Sequence, residues 1–232
     1  MLVTYGSHRS QVAELFLPAG PAPAPVAVVI HGGFWRRRYH RRLMDDLCRD
    51  LTARGWAAAN LEYRRLGDGG GWPATFDDVG AGIDTLASID GLDLSRVVAL
   101  GHSAGGHLAL WAAARRDGQV RITHAVSQAG VADLAAASRL GLSGGAAEEL
   151  VGGRLELFAK ASPAELLPLG VPQLLVHGED DELVPVSIAR DYATAAREAG
   201  DEVDLVTLPG VAHFEHLDPA SEAWRAVIEW LP

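Results

Sequence analysis

A chain of 232 residues, 48% hydrophobic and 22% charged, has the make-up of a folded globular domain long enough to bury a sizeable core. That composition excludes a collagen-like, coiled-coil or disordered chain. Its net charge of −10 excludes a general affinity for nucleic acid, which needs clustered Lys and Arg over the phosphates.

The chain alternates between two kinds of segment. Val12 to Leu17 reads as a strand, followed by a stiff Pro-rich loop from Pro18 to Pro25. Val26 to Ile30 is a continuous apolar run rich in β-branched residues, as a strand buried on both faces would be. His40 to Arg54 has helical periodicity and stops at Gly55, and Trp56 to Leu61 is a second buried strand. After the glycine loop 67–71 comes a helix over Phe76 to Ile89. A strand over Val97 to Leu100 and a helix from Ala104 to about Arg116 follow. Ile122 to Ser127 is a strand, and Val131 to Leu169 is Ala- and Gly-rich with weak helical signals, a small cap or an irregular insertion. The chain then runs as strand (Gln173 to His177), helix (Val186 to Ala199), strand (Val203 to Leu208) and closing helix (Pro219 to Leu231). One α/β domain over 1–232 is expected, with a mostly parallel central sheet, helices on both faces and little or no cap. Active sites in such sheets form beyond the C-terminal ends of the strands.

Those strand ends carry the chemistry. After Val97 to Leu100 stands Gly101-His102-Ser103-Ala104-Gly105, a G-x-S-x-G turn between strand and helix. Side chains two residues either side of the serine would collide in so tight a turn, so glycine fills both places. Ser103 is the candidate nucleophile, and the Ala104 N–H can face a developing oxyanion. After Val26 to Ile30 stands His31-Gly32-Gly33-Phe34-Trp35, where further oxyanion donors are expected among the N–H groups of Gly32, Gly33 and Phe34. His31 is expected to brace that loop, and Trp35 to line the acyl pocket.

After Gln173 to His177 come four acidic residues, Glu179-Asp180-Asp181-Glu182. A base needs one carboxylate to orient it. Asp181 is favoured because Val184-Pro185 then leaves a turn before the next helix, with Asp180 and Asp133 as alternatives. After the last strand comes Pro209-Gly210-Val211-Ala212-His213-Phe214-Glu215-His216. His213 is the candidate base, because it falls in the loop before Asp218-Pro219; His216 is the alternative. The chain order Ser, Asp, His suits this kind of sheet. His107, on the helix after the turn, reads as a buried, hydrogen-bonded residue.

The segments from His31 to Trp35, Gly101 to Ala109, Gly71 to Val79 (Gly-Trp-Pro-Ala-Thr-Phe-Asp-Asp-Val) and the His213-Phe214 pair together resemble the α/β-hydrolase superfamily. Within it they resemble the small carboxylesterases and kynurenine formamidases. The resemblance implies a Ser103-Asp181-His213 triad, no metal or organic cofactor, and cleavage of an ester or activated amide of a small molecule. Phe34 stands where the formamidases usually have tyrosine. Trp35, Trp72 and Phe214 are expected to form an apolar substrate pocket. Rival readings are a prolyl-oligopeptidase-like peptidase, an acyltransferase, and a catalytically silent small-molecule receptor on the same fold.

The remaining features are bland. Arg36-Arg37-Arg38 with Arg41 and Arg42 reads as a solvated loop and helix start. Cys48, the single cysteine, sits in the helical pattern Leu43, Leu47, Leu51 and suits packing. Without a disulfide framework, a signal peptide or a membrane-length apolar run, a cytoplasmic protein is expected.

Overall fold

The computed structural model describes residues 1–20 and 22–232. The strands are β1 (Leu2–Thr4), β2 (Val12–Phe16), β3 (Ala24–Ile30), β4 (Ala57–Leu61), β5 (Leu92–His102), β6 (His124–Gln128), β7 (Gln173–Gly178) and β8 (Val203–Leu208). They form one sheet in the order β1-β2-β4-β3-β5-β6-β7-β8. β2 runs antiparallel to both its neighbours, β1 and β4, and every pair from β4-β3 to β7-β8 is parallel.

The long apolar strand β3 sits inside the sheet, hydrogen-bonded to β4 on one side and β5 on the other. Its residues divide by the two-residue period of a strand. Ala27 and Val29 face a core shared with Leu47, Cys48 and Leu51 of α1 (Asp45–Ala53) and with Trp224 and Val227 of the closing helix (Glu222–Trp230). Val26, Val28 and Ile30 face a core built from α2 (Ala74–Asp84), α3 (Ala104–Ala113) and the helix Val186–Glu198. Cys48 is fully buried there as a packing residue. This is the α/β-hydrolase arrangement, a mostly parallel sheet between two helical layers.

Between β6 and β7, residues 131–169 form three short helices, α4 (Leu134–Arg139), α5 (Ala146–Leu150) and α6 (Phe158–Ala161), joined by turns. Asp133 caps α4, its carboxylate accepting from the Ala135 and Ala136 N–H groups. Leu134, Leu150 and Phe158 are buried in the same core as α2 and α3, so this segment is an extension of one layer. The helix before β8 is α7 (Val186–Glu198) and the last is α8 (Glu222–Trp230).

Several boundaries differ from expectation. β3 begins at Ala24, inside the segment expected as a Pro-rich loop; Pro21 of that loop lies outside the described residues. β5 begins at Leu92 because Leu92 and Asp93 pair with Ala24 and Pro25 across a register irregularity. The edge strand β1 was not expected, since its three residues are exposed or half-buried and carry no apolar pattern.

Candidate active site

Four strand ends meet above the sheet. β5 ends at His102, and Ser103 follows with φ 57° and ψ −121°, a conformation L-residues avoid. The turn is closed by backbone contact. A Cβ on Gly101 would lie 2.1 Å from the Gly105 oxygen, and one on Gly105 would lie 2.0 Å from the Ile30 oxygen. No side chain fits at either place. Phe34 (φ 50°) and Trp35 (φ 57°) share the positive region. Strain of this kind, held in place by surrounding structure, gathers at functional sites.

The loop after β3 lies directly against this turn. A Cβ on Gly32 would meet the His102 oxygen at 2.6 Å and the Ser103 Cβ at 2.9 Å. Among the described residues, the backbone N–H groups of Gly32, Gly33, Phe34 and Ala104 donate to no protein acceptor. His31 braces the loop from beneath. Its Nε2 donates to Glu62 at 2.9 Å, its ring stacks on Tyr63 at 4.5 Å, and the Tyr63 hydroxyl donates to its carbonyl. Burial pushes the Glu62 carboxyl upward, but the His31 hydrogen bond and the charge of Arg65 outweigh that and hold it below the usual range. Nothing in the sequence marked Glu62 or Tyr63.

The candidate acid and base meet in a buried pair. His213 Nδ1 donates to Asp181 Oδ2 at 2.7 Å. The other carboxylate oxygen accepts the Leu183 and Val184 N–H groups, each at 2.9 Å. Burial alone would raise the Asp181 carboxyl, yet the bonds from His177, His213 and Val184 hold it far below the ordinary carboxylate range. Asp180 points to solvent and Asp133 is spent as a helix cap. His216 is fully buried, and among the described residues neither of its ring nitrogens has a partner.

Ser103 and His213 share a small cavity of about 40 Å³ with Gly33, Phe34, Tyr39, Leu43, His102, Leu183, Phe214 and Leu217. The Ser103 hydroxyl is buried and, among the described residues, makes no hydrogen bond. Such bonds often close only around substrate. A larger groove of about 480 Å³ beside β8 and α8 holds neither Ser103 nor His213.

Of the three expected pocket aromatics, only Phe214 lines this cavity, 59% exposed at its mouth. Trp35 is turned inward with 1% exposure, its indole N–H donating to His107 Nδ1 at 3.2 Å. Trp72 packs on Phe76 at 4.8 Å, away from the cavity. The positive φ at Trp35 turns its side chain toward α3, which periodicity cannot reveal. Tyr39, Leu43, Leu183 and Leu217 complete the walls, and no sequence signal singled them out. The arginine cluster is partly tied down: Arg36 pairs with Glu149 at 2.6 Å and Arg41 with Glu14 at 2.9 Å.

Burial drops His107 to about 4, and burial with the charges of His177 and His213 drops His216 to about 3. Unfolded histidine titrates near 6.5, so between about pH 6.5 and 4 the unfolded chain binds more protons than the folded one. Stability therefore falls as pH falls through that window, on the order of 1–2 kcal/mol per histidine by pH 5. Urea midpoints are expected to be lower at pH 5 than at pH 7, and an equal or higher midpoint at pH 5 would contradict the assignment.

The BD-FAE family profile matches residues 14–195, well over half of the chain. The chain belongs to the BD-FAE family. This BD-FAE chain is 28% identical to Esterase LipC of Mycobacterium tuberculosis (strain ATCC 25618 / H37Rv), over 94% of this chain and 60% of LipC. It is 27% identical to the probable isoprenylcysteine alpha-carbonyl methylesterase ICME of Oryza sativa subsp. japonica, over 92% of this chain and 57% of that protein. It thus spans about 60% of the length of the curated relatives it matches. Esterase B from Lactobacillus rhamnosis superposes with a TM-score of 0.87 at 22% identity, covering 100% of the BD-FAE chain and 84% of the esterase. That likeness is one of fold.

Proposed function

We propose that the protein is a serine hydrolase that cleaves small carboxylic esters with short acyl groups. The observation that carries this reading is the meeting of Ser103, in its strained turn, with the His213-Asp181 pair around one apolar cavity. The esterase names of the relatives support it.

His213, oriented by Asp181, takes the Ser103 proton as the hydroxyl attacks the ester carbonyl. The oxyanion donors lie among the N–H groups of Gly32, Gly33, Phe34 and Ala104, which are free among the described residues. His213 then protonates the leaving alcohol, and water repeats the cycle on the acyl-enzyme. No step calls for a metal or organic cofactor. A cavity of about 40 Å³ has room for only a few heavy atoms, since about 10–15 Å³ admits one water-sized probe. Acetyl and propionyl groups fit that limit. Cleavage of an activated amide such as a formamide rests on the His31-Gly32-Gly33-Phe34-Trp35 likeness alone.

A panel of p-nitrophenyl acetate, butyrate and octanoate with an N-formyl aryl amide tests the reading. The acetate is expected to exceed the octanoate by roughly 100-fold in kcat/KM, about what the misfit of several methylenes is worth. A fluorophosphonate is expected to label the peptide containing Ser103. Failure to label, or a preference for the octanoate, would overturn it.

A further inference from the structure

The candidate base stands on a long span. Ser103 follows the central strand β5, and the His213 loop leaves the edge strand β8, with β6 and β7 between them. At the usual strand spacing those two axes lie roughly 14 Å apart. The loop must therefore fold back across two strands and still place an imidazole within about 3 Å of a hydroxyl. A misplacement of about 1 Å in such a geometry costs on the order of 100-fold in rate.

Asp181 fixes the His213 ring, but not the backbone that carries it. Gln128 holds the loop three residues further on, its Nε2 donating to the His216 carbonyl at 3.1 Å. The contact at the base itself comes from the nucleophile turn. His102 is 2% exposed, and its Nε2 donates to the His213 carbonyl at 2.8 Å across 111 residues of sequence. A carbonyl only accepts, so the proton sits on Nε2 and the ring's orientation is set. The two imidazoles lie 4.7 Å apart. On its other side, His102 is packed against the oxyanion loop, its Nδ1 being 3.2 Å from where a Gly32 Cβ would stand.

We propose that His102 is a positioning residue that ties the nucleophile turn to the base loop and so sets the distance between Ser103 and His213. The assignment rests on the serine-hydrolase reading above. It explains why a ring is buried at the variable position of the G-x-S-x-G turn: one side chain touches the nucleophile turn, the oxyanion loop and the base loop together. Burial and the charges of His213 and His216 hold His102 well below the ordinary histidine range, so its N–H stays a neutral donor and adds no charge beside a protonated His213.

Two substitutions test it. His102→Phe keeps the ring and removes the donor; His102→Gln restores an N–H near the Nε2 position. With p-nitrophenyl acetate, the phenylalanine variant is expected to lose about 100-fold in kcat with KM within about twofold, and the glutamine variant to recover to within about tenfold of the parent. The downfield proton resonance of the His213-Asp181 hydrogen bond is expected to broaden in the first and persist in the second, at similar melting temperatures. A phenylalanine variant with near-parental kcat overturns the proposal, as does a glutamine variant no more active than His102→Phe or, should His102→Phe fail to fold, no more active than Ser103→Ala. Ser103→Ala, run alongside, separates the two ideas. If it stays active, the hydrolase reading fails; if it is inactive while His102→Phe is not, only the positioning role fails.

Discussion

Ser103→Ala is expected to lower kcat for p-nitrophenyl acetate by about 10⁶-fold while leaving the protein at least as stable as before. Loss of the hydroxyl removes the acyl-enzyme route outright. What survives is the contribution of oxyanion donors and binding, which in serine hydrolases amounts to about 10³–10⁴ over water. The stability half of the expectation comes from an unusual local fact: the buried Ser103 hydroxyl has no hydrogen-bond partner among the described residues. Removing an unsatisfied buried polar group relieves a desolvation cost of about 1–3 kcal/mol. Alanine meets the same positive φ as serine, so the turn itself is not further strained. Calorimetry beside the rate assay reads both halves. A variant within tenfold of the parent rate would remove Ser103 from the mechanism.

Asp181→Asn is expected to cost about 10⁴-fold in kcat, with the fold retained. The hydrogen bonds dictate why. Asp181 Oδ1 accepts two backbone N–H groups, from Leu183 and Val184, and the asparagine oxygen takes over that place. The amide NH₂ is then left facing His213. Nδ1 must accept where it formerly donated, the ring proton moves to Nε2, and the base turns its donor toward the serine it has to deprotonate. Because hydrogen bonds hold the wild-type carboxyl far below the ordinary range despite burial, Asp181 is ionised throughout the neutral region. The acid limb of kcat/KM therefore belongs to another group, and rates measured from pH 5 to 9 are expected to fall across the whole range in the variant. A variant that keeps a tenth of the parent rate at pH 8 would return the acid to another residue.

Much of this arrangement was legible in the sequence because it is written in local physics. A β-branched run with no polar breaks announced β3, and two glycines flanking a serine at the end of β5 announced a turn that admits no side chains there. The acidic run after β7 was legible only as a set of alternatives. Asp181 differs from Asp180 because the next turn aims two N–H groups back at its carboxylate, and that is a matter of three-dimensional closure. The same limit applies to the cavity. Tyr39 and Leu43 follow β3, Leu183 follows β7 and Leu217 follows β8, so its walls converge only after folding. Trp35 shows the opposite failure, an aromatic beside the site whose backbone turns it into the core.

The strand order has a consequence for synthesis. In chain order β3, β5 and the serine turn leave the ribosome before β7 and β8, although the sheet orders β5, β6, β7 and β8 side by side. Asp181 follows β7 in the chain, and His213 follows β8, the outer-edge strand. On the proposed reading, a nascent chain thus carries its candidate nucleophile, unactivated, until the final strand is in place, and chemical competence coincides with completion of the sheet.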